Sequence, residues 1–254
     1  FCSKERKLVT DINSYCVVKN GVSQGVFDEV PEEYRDFKMI DYSGNMIMPG
    51  LIDLHLHAPQ YSFRGLGMDL ELLEWLYKYT FPEEQKYREW EYANKAYQIF
   101  VHDLKNSYTT RAVVFGTIYT DTTLLLMEML EESGLCTYVG KVNMDRNVPD
   151  YYIEKVEESI RETRWFVKEA NKFYNTKPII TPRFIPTCTD ELMEGLSKIQ
   201  KETGLPVQSH LSENRSEIQW VKELCPESKF YGDAYDQFGM FGNECKTIMA
   251  HCVS

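Results

Sequence analysis

One stretch near residue 50 constrains the fold more than any other part of the sequence. Pro49-Gly50 is a turn signal, and the apolar run after it predicts a buried strand that ends at His55 and His57. Since side chains alternate across a strand, the two imidazoles point to the same side. Such a pair is able to coordinate one metal ion, although histidines at this spacing also occur as ordinary core or surface side chains. The rest of the chain decides between these alternatives.

The sequence after His57 alternates predicted strands with predicted helices. Apolar residues at helical spacing predict one helix at about 91–105 and another from the cap candidate Asp121 to Gly134. A longer helix is predicted from Ile153 to Tyr174, and two more carry Leu192 to Ile199 and Ile218 to Leu224. Besides the strand at His55, further strands are predicted at Ala112 to Ile118, Leu135 to Val142, Pro178 to Phe184, Leu205 to His210 and Lys246 to His251.

This alternation favours parallel strands with right-handed crossovers, which two architectures provide. A doubly wound nucleotide-binding sheet requires a glycine-rich turn after its first strand, and the turn here is His57-Ala-Pro-Gln60. A (β/α)8 barrel instead places its chemistry at the carboxyl ends of its strands, where the histidines lie. We therefore predict an α/β chain in which residues 49–254 form about six of the eight βα units of such a barrel. Residues 1–48 contain a predicted hairpin at Val17 to Val22 and form a small β segment, before which we expect further sequence.

Four of the five histidines lie at predicted strand ends. His55 and His57 end the first strand of the barrel, and His210 and His251 end the fifth and sixth. His102 lies on a helix, and we interpret it as structural or solvated. Neutral imidazoles are good ligands for zinc or ferrous iron, so the strand ends together predict a metal site that no single motif establishes.

Three other side chains at strand ends are candidates for function. Glu213 follows His210 closely and suits a general acid or base, or else a helix N-terminal residue in Ser212-x-x-Arg215 without a capping box. Arg183 and Phe184 end the fourth strand, and a guanidinium beside an aromatic ring suits a carbonyl or anionic group on a planar ligand. The alternative is an ordinary surface arginine.

Composition excludes several classes of partner. The chain has 28 Lys and Arg against 39 Asp and Glu, a net charge of −11, and no basic cluster interleaved with aromatic residues, so nucleic acid is not an expected partner. It has no long apolar run and no signal-peptide pattern, which predicts a cytosolic protein without a membrane partner. Seven cysteines without Cys-x-x-Cys pairs also favour a reducing compartment.

Longer motifs carry a resemblance to the amidohydrolase superfamily. They are Pro49-Gly-Leu-Ile-Asp-Leu-His-Leu-His57, Gln208-Ser-His-Leu-Ser-Glu-Asn214 and Met249-Ala-His251. Within the superfamily the chain is similar to the guanine deaminase family, from about Asn45 to its last residue. This closer similarity is carried by His55-Leu-His-Ala-Pro-Gln-Tyr-Ser-Phe63, Leu73-Glu-Trp-Leu-Tyr-Lys-Tyr-Thr-Phe-Pro82 and Thr181-Pro-Arg-Phe184.

The resemblance implies a fold and an activity. The fold is a (β/α)8 barrel flanked by a small β-sandwich, to which residues 1–48 would contribute a part. The activity is the zinc-dependent hydrolysis of guanine to xanthine and ammonia, a step of purine catabolism, and full-length members are expected to be homodimers. His55, His57 and His210 would hold one zinc ion per subunit, with iron as the alternative metal. Glu213 would shuttle a proton from water to a ring nitrogen, and His251 would orient the nucleophile and stabilise developing charge.

The same resemblance implies a set of substrate contacts. Gln60 and Arg183 would contact the edge of the purine, with Arg183 the better candidate for the ring carbonyl. Phe184 would pack on the face of the ring, and His210 and Glu213 would also touch the substrate.

The sequence departs from the family pattern in several places. Family members place an aspartate, the fourth protein ligand, at the end of an eighth strand, which we expect to lie beyond Ser254 with the last two barrel strands and the rest of the sandwich. Cys252 stands where glycine is usual, and Ser107-Tyr108 stands where Gly-Thr is usual. We expect Ser107, in place of a left-handed glycine, to strain the end of its helix.

Two hypotheses of different class follow. In the first, the chain is part of an active guanine deaminase. In the second, it is an inactive truncated product that binds other chains or folds only with a partner. A third reading, an amidohydrolase deaminase acting on a different heterocycle, is disfavoured by Gln60 together with Thr181-Pro-Arg-Phe184.

Overall fold

The structure is a computed structural model that describes residue 7, residues 9–242 and residues 245–253. Residues 1–6, 8, 243–244 and 254 of the predicted domains lie outside the described residues. The chain divides into two compact units, Phe1–Pro49 and Gly50–Ser254. Among the described residues, no helix is both long enough and apolar enough to cross a membrane.

The first unit contains the predicted hairpin. Strand β1 (Tyr15–Lys19) pairs antiparallel with β2 (Val22–Phe27). The turn residues Asn20 and Gly21 have φ angles of 52° and 75°, as a two-residue hairpin loop with the twist of its strands requires. A short 3-10 turn follows at Glu32–Tyr34. The assignment of this unit to a β-sandwich stays a prediction.

The second unit is built on parallel strands, as the sequence predicts. The strands are β3 (Leu51–His57), β4 (Thr109–Phe115), β5 (Cys136–Gly140), β6 (Val142–Asn143), β7 (Thr176–Pro178), β8 (Thr181–Pro182), β9 (Val207–Leu211) and β10 (Thr247–His251). β3, β4, β5 and β7 are hydrogen-bonded in that order, β6 pairs with β8, and β9 pairs with β10. A parallel bridge between Ile180 and Val207 connects the fourth strand position to the fifth.

Helices connect these strands and give the chain the architecture of a partial (β/α)8 barrel. The helices are α1 (Leu72–Trp75), α2 (Phe81–Glu84), α3 (Trp90–Lys105), α4 (Thr120–Ser133), α5 (Val156–Ala170), α6 (Asp190–Thr203), α7 (Arg215–Leu224) and α8 (Asp233–Asp236). A π-helical turn at Leu76–Thr80 joins α1 to α2. Further 3-10 turns lie at Ala58–Phe63, Gln85–Arg88, Asp150–Tyr152 and Ile185–Thr187.

The core lies between the strands and the long helices. Apolar side chains such as Leu126 and Leu130 of α4, Val139 of β5 and Phe166 of α5 are almost completely buried in one cluster. Because this packing holds the strands in place from outside, their carboxyl ends converge at one edge of the unit.

Several predicted strands have different bounds in the structure, and the strand predicted at 135–142 is split into β5 and β6. The strand predicted at 112–118 is β4, Thr109–Phe115, and its last contact with β5 is the bond from Gly116 N to the carbonyl of Gly140. The strand predicted at 178–184 is split into β7 and β8. Pro178 and Pro182 lack an N–H, so neither is able to donate to a continuous ladder.

Two helix predictions also need correction. Tyr119 rather than Asp121 is the residue before the first turn of α4. The helix predicted from Ile153 to Tyr174 is only α5, because the carboxylate of Glu131 accepts hydrogen bonds from the backbone N–H groups of residues 174–176. Tyr174 therefore lies in the segment between α5 and β7.

The expected strain at Ser107 is absent. Ser107 does not have a positive φ; its hydroxyl instead donates to the carbonyl of Leu104 at 2.7 Å and ends α3. Cys252, the other departure of this kind, has a φ of 55° and therefore occupies the left-handed region that favours glycine. Tyr108 is exposed, and nothing in the structure explains its identity.

Candidate metal centre and substrate pocket

The end of β3 delivers two of the predicted ligands to one place. His55 and His57 are two residues apart on the strand, and their ring centroids are 5.1 Å apart. The backbone N–H of His55 donates to the carboxylate of Asp53 at 3.1 Å, which fixes the chain just before the site.

The end of β9 adds His210. Its Nε2 lies 3.0 Å from Nε2 of His57, and one nitrogen from each of the three histidines lies within 4.8 Å of the others. Nδ1 of His210 donates to the carbonyl of Arg183 at 2.6 Å. Because a carbonyl can only accept, this bond leaves the lone pair of His210 on Nε2, where it faces His57.

Electrostatics keep the three imidazoles neutral. Burial, with His251 and Arg183 nearby, lowers the pKa of His55 to about 4. Burial, followed by the neighbouring histidines, also lowers the pKa of His57 and of His210 well below 6.5. Neutral imidazole is the form that binds metal ions.

The donor set fits a bound metal ion. Nδ1 of His55 and Nδ1 of His57 are buried without a hydrogen-bond partner. Nitrogen ligands about 2.0–2.1 Å from a tetrahedral zinc ion lie roughly 3.3 Å from each other, close to the separation of the two Nε2 atoms. Among the described residues, these three histidines are the one group of ligand type that converges in this way. The cluster is therefore able to hold a metal ion.

Glu213 and His251 lie beside this cluster. Nε2 of His251 is 3.3 Å from Oε2 of Glu213, and the ring of His251 is 5.0 Å from that of His55. Burial and the nearby carboxylate of Glu217 raise the pKa of Glu213 to about 7. Burial lowers the pKa of His251. A carboxyl group with a pKa near neutrality both takes up and releases protons readily.

The backbone around these two residues is unusual. Ser212, His251 and Cys252 have φ angles of 54°, 73° and 55°. Non-glycine residues in this region cost about 1–3 kcal/mol each and concentrate at functional sites. Here they lie at the ends of β9 and β10, beside the side chains of Glu213 and His251.

The alternative interpretation of Glu213 as a helix N-terminal residue is wrong. α7 is capped by Asn214, whose side chain accepts from Ser216 N at 2.8 Å. Glu217 completes a capping box by accepting from the backbone N–H groups of Asn214 and Glu213. Glu213 therefore precedes the helix and is free to face the histidines.

Arg183 is buried, so its alternative interpretation as an ordinary surface arginine is wrong. Only 2% of it is exposed, and its guanidinium makes two contacts with the carboxylate of Glu84, at 2.6 and 3.1 Å. Burial alone would lower the pKa of Arg183, but the carboxylate of Glu84 outweighs it and raises the pKa above its usual value. Nε2 of Gln60 donates to the same carboxylate at 3.3 Å. Phe184 is buried, with its ring centroid 6.4 Å from that of His210.

One cavity of about 140 Å³ brings all the predicted site residues together. They are His55, His57, Gln60, Arg183, Phe184, His210, Glu213 and His251. A larger open depression on α6 is lined by surface lysines and glutamates and by none of these residues. His102 is exposed and hydrogen-bonds to Asn106. Cys16, Cys136, Cys188, Cys225 and Cys252 are free thiols.

Sequence reasoning missed four residues of this region. Leu72, Trp75 and Leu76 form an apolar wall of the cavity, and Glu84 pairs with Arg183. The wall comes from α1 and the π-helical turn, whose irregular spacing gives no clear periodicity. A buried arginine requires a carboxylate partner, but that requirement alone does not select Glu84 from the many acidic residues.

Comparisons with known proteins agree with this geometry. Residues 46–254 match the model of the amidohydrolase family. The chain is 49% identical over 208 residues to the guanine deaminase of Mus musculus, covering 80% of this chain and 45% of that protein. It is 38% identical over 226 residues to the guanine deaminase of Escherichia coli (strain K12), covering 89% of this chain and 50% of that protein.

A solved structure is also very similar. The crystal structure of guanine deaminase from C. acetobutylicum, with guanine bound in its active site, has a TM-score of 0.96 and 47% identity to this chain. The match covers 100% of this chain and 60% of that one. The chain thus spans about half the length of the curated relatives it matches.

Proposed function

Because the chain belongs to the amidohydrolase family, we propose that it acts in the hydrolytic deamination of guanine to xanthine and ammonia. The proposal is supported by its similarity to guanine deaminases, among them the C. acetobutylicum enzyme with guanine bound in its active site. The observation that carries it is the position of Glu213, a carboxyl group with a pKa of about 7 at the edge of a three-histidine cluster.

His55, His57 and His210 would hold one zinc ion, for which ferrous iron is the alternative. When bound, such an ion acts as a Lewis acid and lowers the pKa of water toward 7. The three histidines contribute neutral nitrogen donors, and the contact of His210 with the Arg183 carbonyl keeps its donor nitrogen facing the cluster.

Glu213 moves the proton in this proposal. It accepts a proton from the attacking water and delivers it to a ring nitrogen of guanine, while a new C–O bond forms at the carbon that bears the amino group. The second proton of the water, which is still on the new hydroxyl group, then passes to the amino group. The C–N bond breaks as the hydroxyl oxygen becomes the carbonyl of xanthine, and the amino group leaves as ammonia. Because the pKa of Glu213 is close to neutrality, this side chain both accepts and releases a proton readily near pH 7.

His251 orients the attacking water. As a neutral imidazole it has one N–H and one lone pair, and its Nε2 lies 3.3 Å from the carboxylate of Glu213. This contact holds His251, which orients the water, and Glu213, which transfers the proton, in one geometry relative to each other. The backbone of His251 is in the left-handed region where its side chain makes this contact.

The other pocket residues bind the purine. Arg183 donates to the ring carbonyl, Gln60 contacts a neighbouring position on the same edge, and Phe184 packs against the ring. His210 and Glu213 border the reacting carbon.

The remaining predictions concern organisation and setting. We propose that residues 1–48 belong to a β-sandwich and residues 49–254 to the barrel, in a homodimeric cytoplasmic enzyme of purine catabolism. The net charge of −11 supports the absence of nucleic acid as a partner.

Ammonia release and xanthine formation from guanine test this proposal. The assay compares the 254-residue chain with a form extended along its gene, since the relatives are about twice as long, and zinc content is measured in both. We expect turnover with zinc bound, and a loss of about 10²- to 10⁴-fold in Glu213→Gln, the usual value of a general acid or base. No turnover of guanine by either form, with turnover of another heterocycle, would refute the substrate assignment. No turnover of any heterocycle, with capture of a partner chain, would favour a binding role.

A further inference from the structure

Glu84 contacts two of the residues that line the substrate-binding side of the cavity. Its carboxylate is completely buried and accepts hydrogen bonds from three side chains. Arg183 donates to both oxygens, Gln60 donates to Oε1, and the hydroxyl of Tyr152 donates to Oε2 at 2.9 Å. The residue is at the end of α2 and connects both of the predicted purine-edge contacts, although it does not itself line the cavity.

The contact with Arg183 fixes the plane of the guanidinium. Two parallel N–H···O bonds, at 2.6 and 3.1 Å, leave the side chain no freedom to rotate about its end. Each of the two nitrogens carries a second N–H, so donor capacity remains for a ligand. Arg183 therefore presents donors in one fixed direction.

The contact with Gln60 fixes the orientation of its amide. A carboxylate only accepts hydrogen bonds, so the group 3.3 Å from Glu84 is the NH₂ end of the amide. The carbonyl oxygen of Gln60 is then the end left to meet a ligand in the cavity that it lines. One carboxylate thus sets a donor at Arg183 and an acceptor at Gln60.

Glu84 also cancels the charge of Arg183. Both side chains are buried, with 0% and 2% of their side-chain surface exposed. As a bidentate ion pair the two side chains carry no net charge together, so Arg183 has no unpaired charge with which to attract an anion. A neutral carbonyl gains a hydrogen bond from Arg183 without requiring a charge of its own.

We propose that Glu84 is a positioning and specificity residue, which selects an uncharged ring carbonyl with a nearby N–H and rejects an anionic heterocycle. This inference rests on the proposed function for the identity of the ligand. It does not require turnover, so binding tests it separately.

Binding of two purines to the full 254-residue chain, measured by titration calorimetry, tests the proposal. Hypoxanthine has a ring carbonyl and ring N–H groups but no amino group to lose, and purine-6-carboxylate places an anion near the same position. The variants are Glu84→Gln, which keeps the shape but removes the charge, and Glu84→Asp, which keeps the charge but withdraws it from Arg183. The matched control is Glu83→Gln, since Glu83 is the neighbouring residue and contacts Ser62, Lys86 and Tyr92 instead.

The two variants separate the two roles. We expect Glu84→Gln to weaken hypoxanthine binding at least about tenfold and to strengthen purine-6-carboxylate binding by a similar factor, because Arg183 gains a free charge. Glu84→Asp should weaken hypoxanthine about tenfold without a gain for the anion, because the pair stays neutral while its geometry is lost. Glu83→Gln should bind both ligands as the parent chain does.

Several outcomes would overturn the inference. If a folded Glu84 variant binds hypoxanthine with the affinity of the parent chain, Glu84 does not position Arg183 and Gln60 for the ligand. If Glu84→Gln lowers the affinities for hypoxanthine and purine-6-carboxylate by the same factor, Glu84 does not determine specificity between them. Thermal melting of each variant identifies a folding defect, and where Glu84→Gln does not fold, the Glu84→Asp result decides the positioning role. If hypoxanthine binds as expected while guanine is not deaminated, the proposed function fails and the role of Glu84 stands.

Discussion

Replacing Glu213 with glutamine should stabilise the chain at alkaline pH, and the structure gives the size of the effect. The pKa of Glu213 is raised from 4.5 to about 7, chiefly by burial and then by Glu217. Since each tenfold change in an acid dissociation constant corresponds to about 1.4 kcal/mol, ionising Glu213 costs the folded chain about 3 kcal/mol. About a third of the side chain is exposed, so solvent screening reduces this to roughly 1–3 kcal/mol.

The sign follows from the direction of the pKa change. A carboxyl group whose pKa is higher in the folded state stabilises that state below pH 4.5, and this contribution is lost as the pH rises through about 7. Glutamine remains neutral at every pH. The free energy of unfolding of Glu213→Gln should therefore exceed that of the parent chain by roughly 1–3 kcal/mol more at pH 8 than at pH 4.5.

Urea unfolding of both proteins at pH 4.5 and pH 8, in the presence of a chelator, measures this difference. Titrating groups that do not interact with Glu213 are common to the two proteins, and their contributions cancel. Glu227→Gln is the control, because Glu227 is an exposed residue of the loop after α7 and its substitution should have the same small effect at both pH values. An equal effect of Glu213→Gln at the two pH values would refute the reasoning that burial holds a proton at this site.

Three further substitutions test the packing around the site, each by urea unfolding against the parent chain. Lys141→Met should cost about 3–5 kcal/mol, because it leaves Glu154 buried without its partner at 2.6 Å; a neutral result would mean that the pair contributes nothing. Glu131→Ala should cost about 1–3 kcal/mol, because its carboxylate accepts hydrogen bonds from the backbone N–H groups of Asn175 and Thr176 at the start of β7, and an unchanged midpoint would contradict this. Gly140→Ala should cost at least about 1–3 kcal/mol, because a Cβ there would lie 1.7 Å from Oγ1 of Thr181; full stability would show that β5 and β8 are able to separate.

Features set by local chemistry could be predicted from the sequence. The Asn20-Gly21 turn follows from the left-handed backbone that a two-residue hairpin needs. The end of α4 at Gly134 follows from the same preference, with a φ of 80°. Alternation along β3 likewise places His55 and His57 together. In each case the residues that decide the structure are neighbours in the chain.

Two missed features also had local signals. The prolines at 178 and 182 forbid one continuous strand, and Asn214-x-x-Glu217 has the spacing of a capping box. Applying these two rules would have divided the fourth strand into β7 and β8 and placed Glu213 ahead of α7.

Other features depend on partners that are distant in the sequence. Glu84 and Arg183 are 99 residues apart, and Glu131 caps a segment more than 40 residues downstream. Periodicity describes which face of an element is buried, but it does not say which acidic residue will meet a buried arginine. Only the folded chain supplies that pairing.

Zinc affinity tests the central claim, that His55, His57 and His210 form a metal centre. The measurement is zinc binding by the parent chain, by His57→Ala and by His102→Ala, in which the substituted histidine is exposed and lies on α3. We expect one zinc ion per parent chain, a loss of at least about 100-fold in zinc affinity for His57→Ala, and no change for His102→Ala. Equal affinity in all three proteins would contradict it.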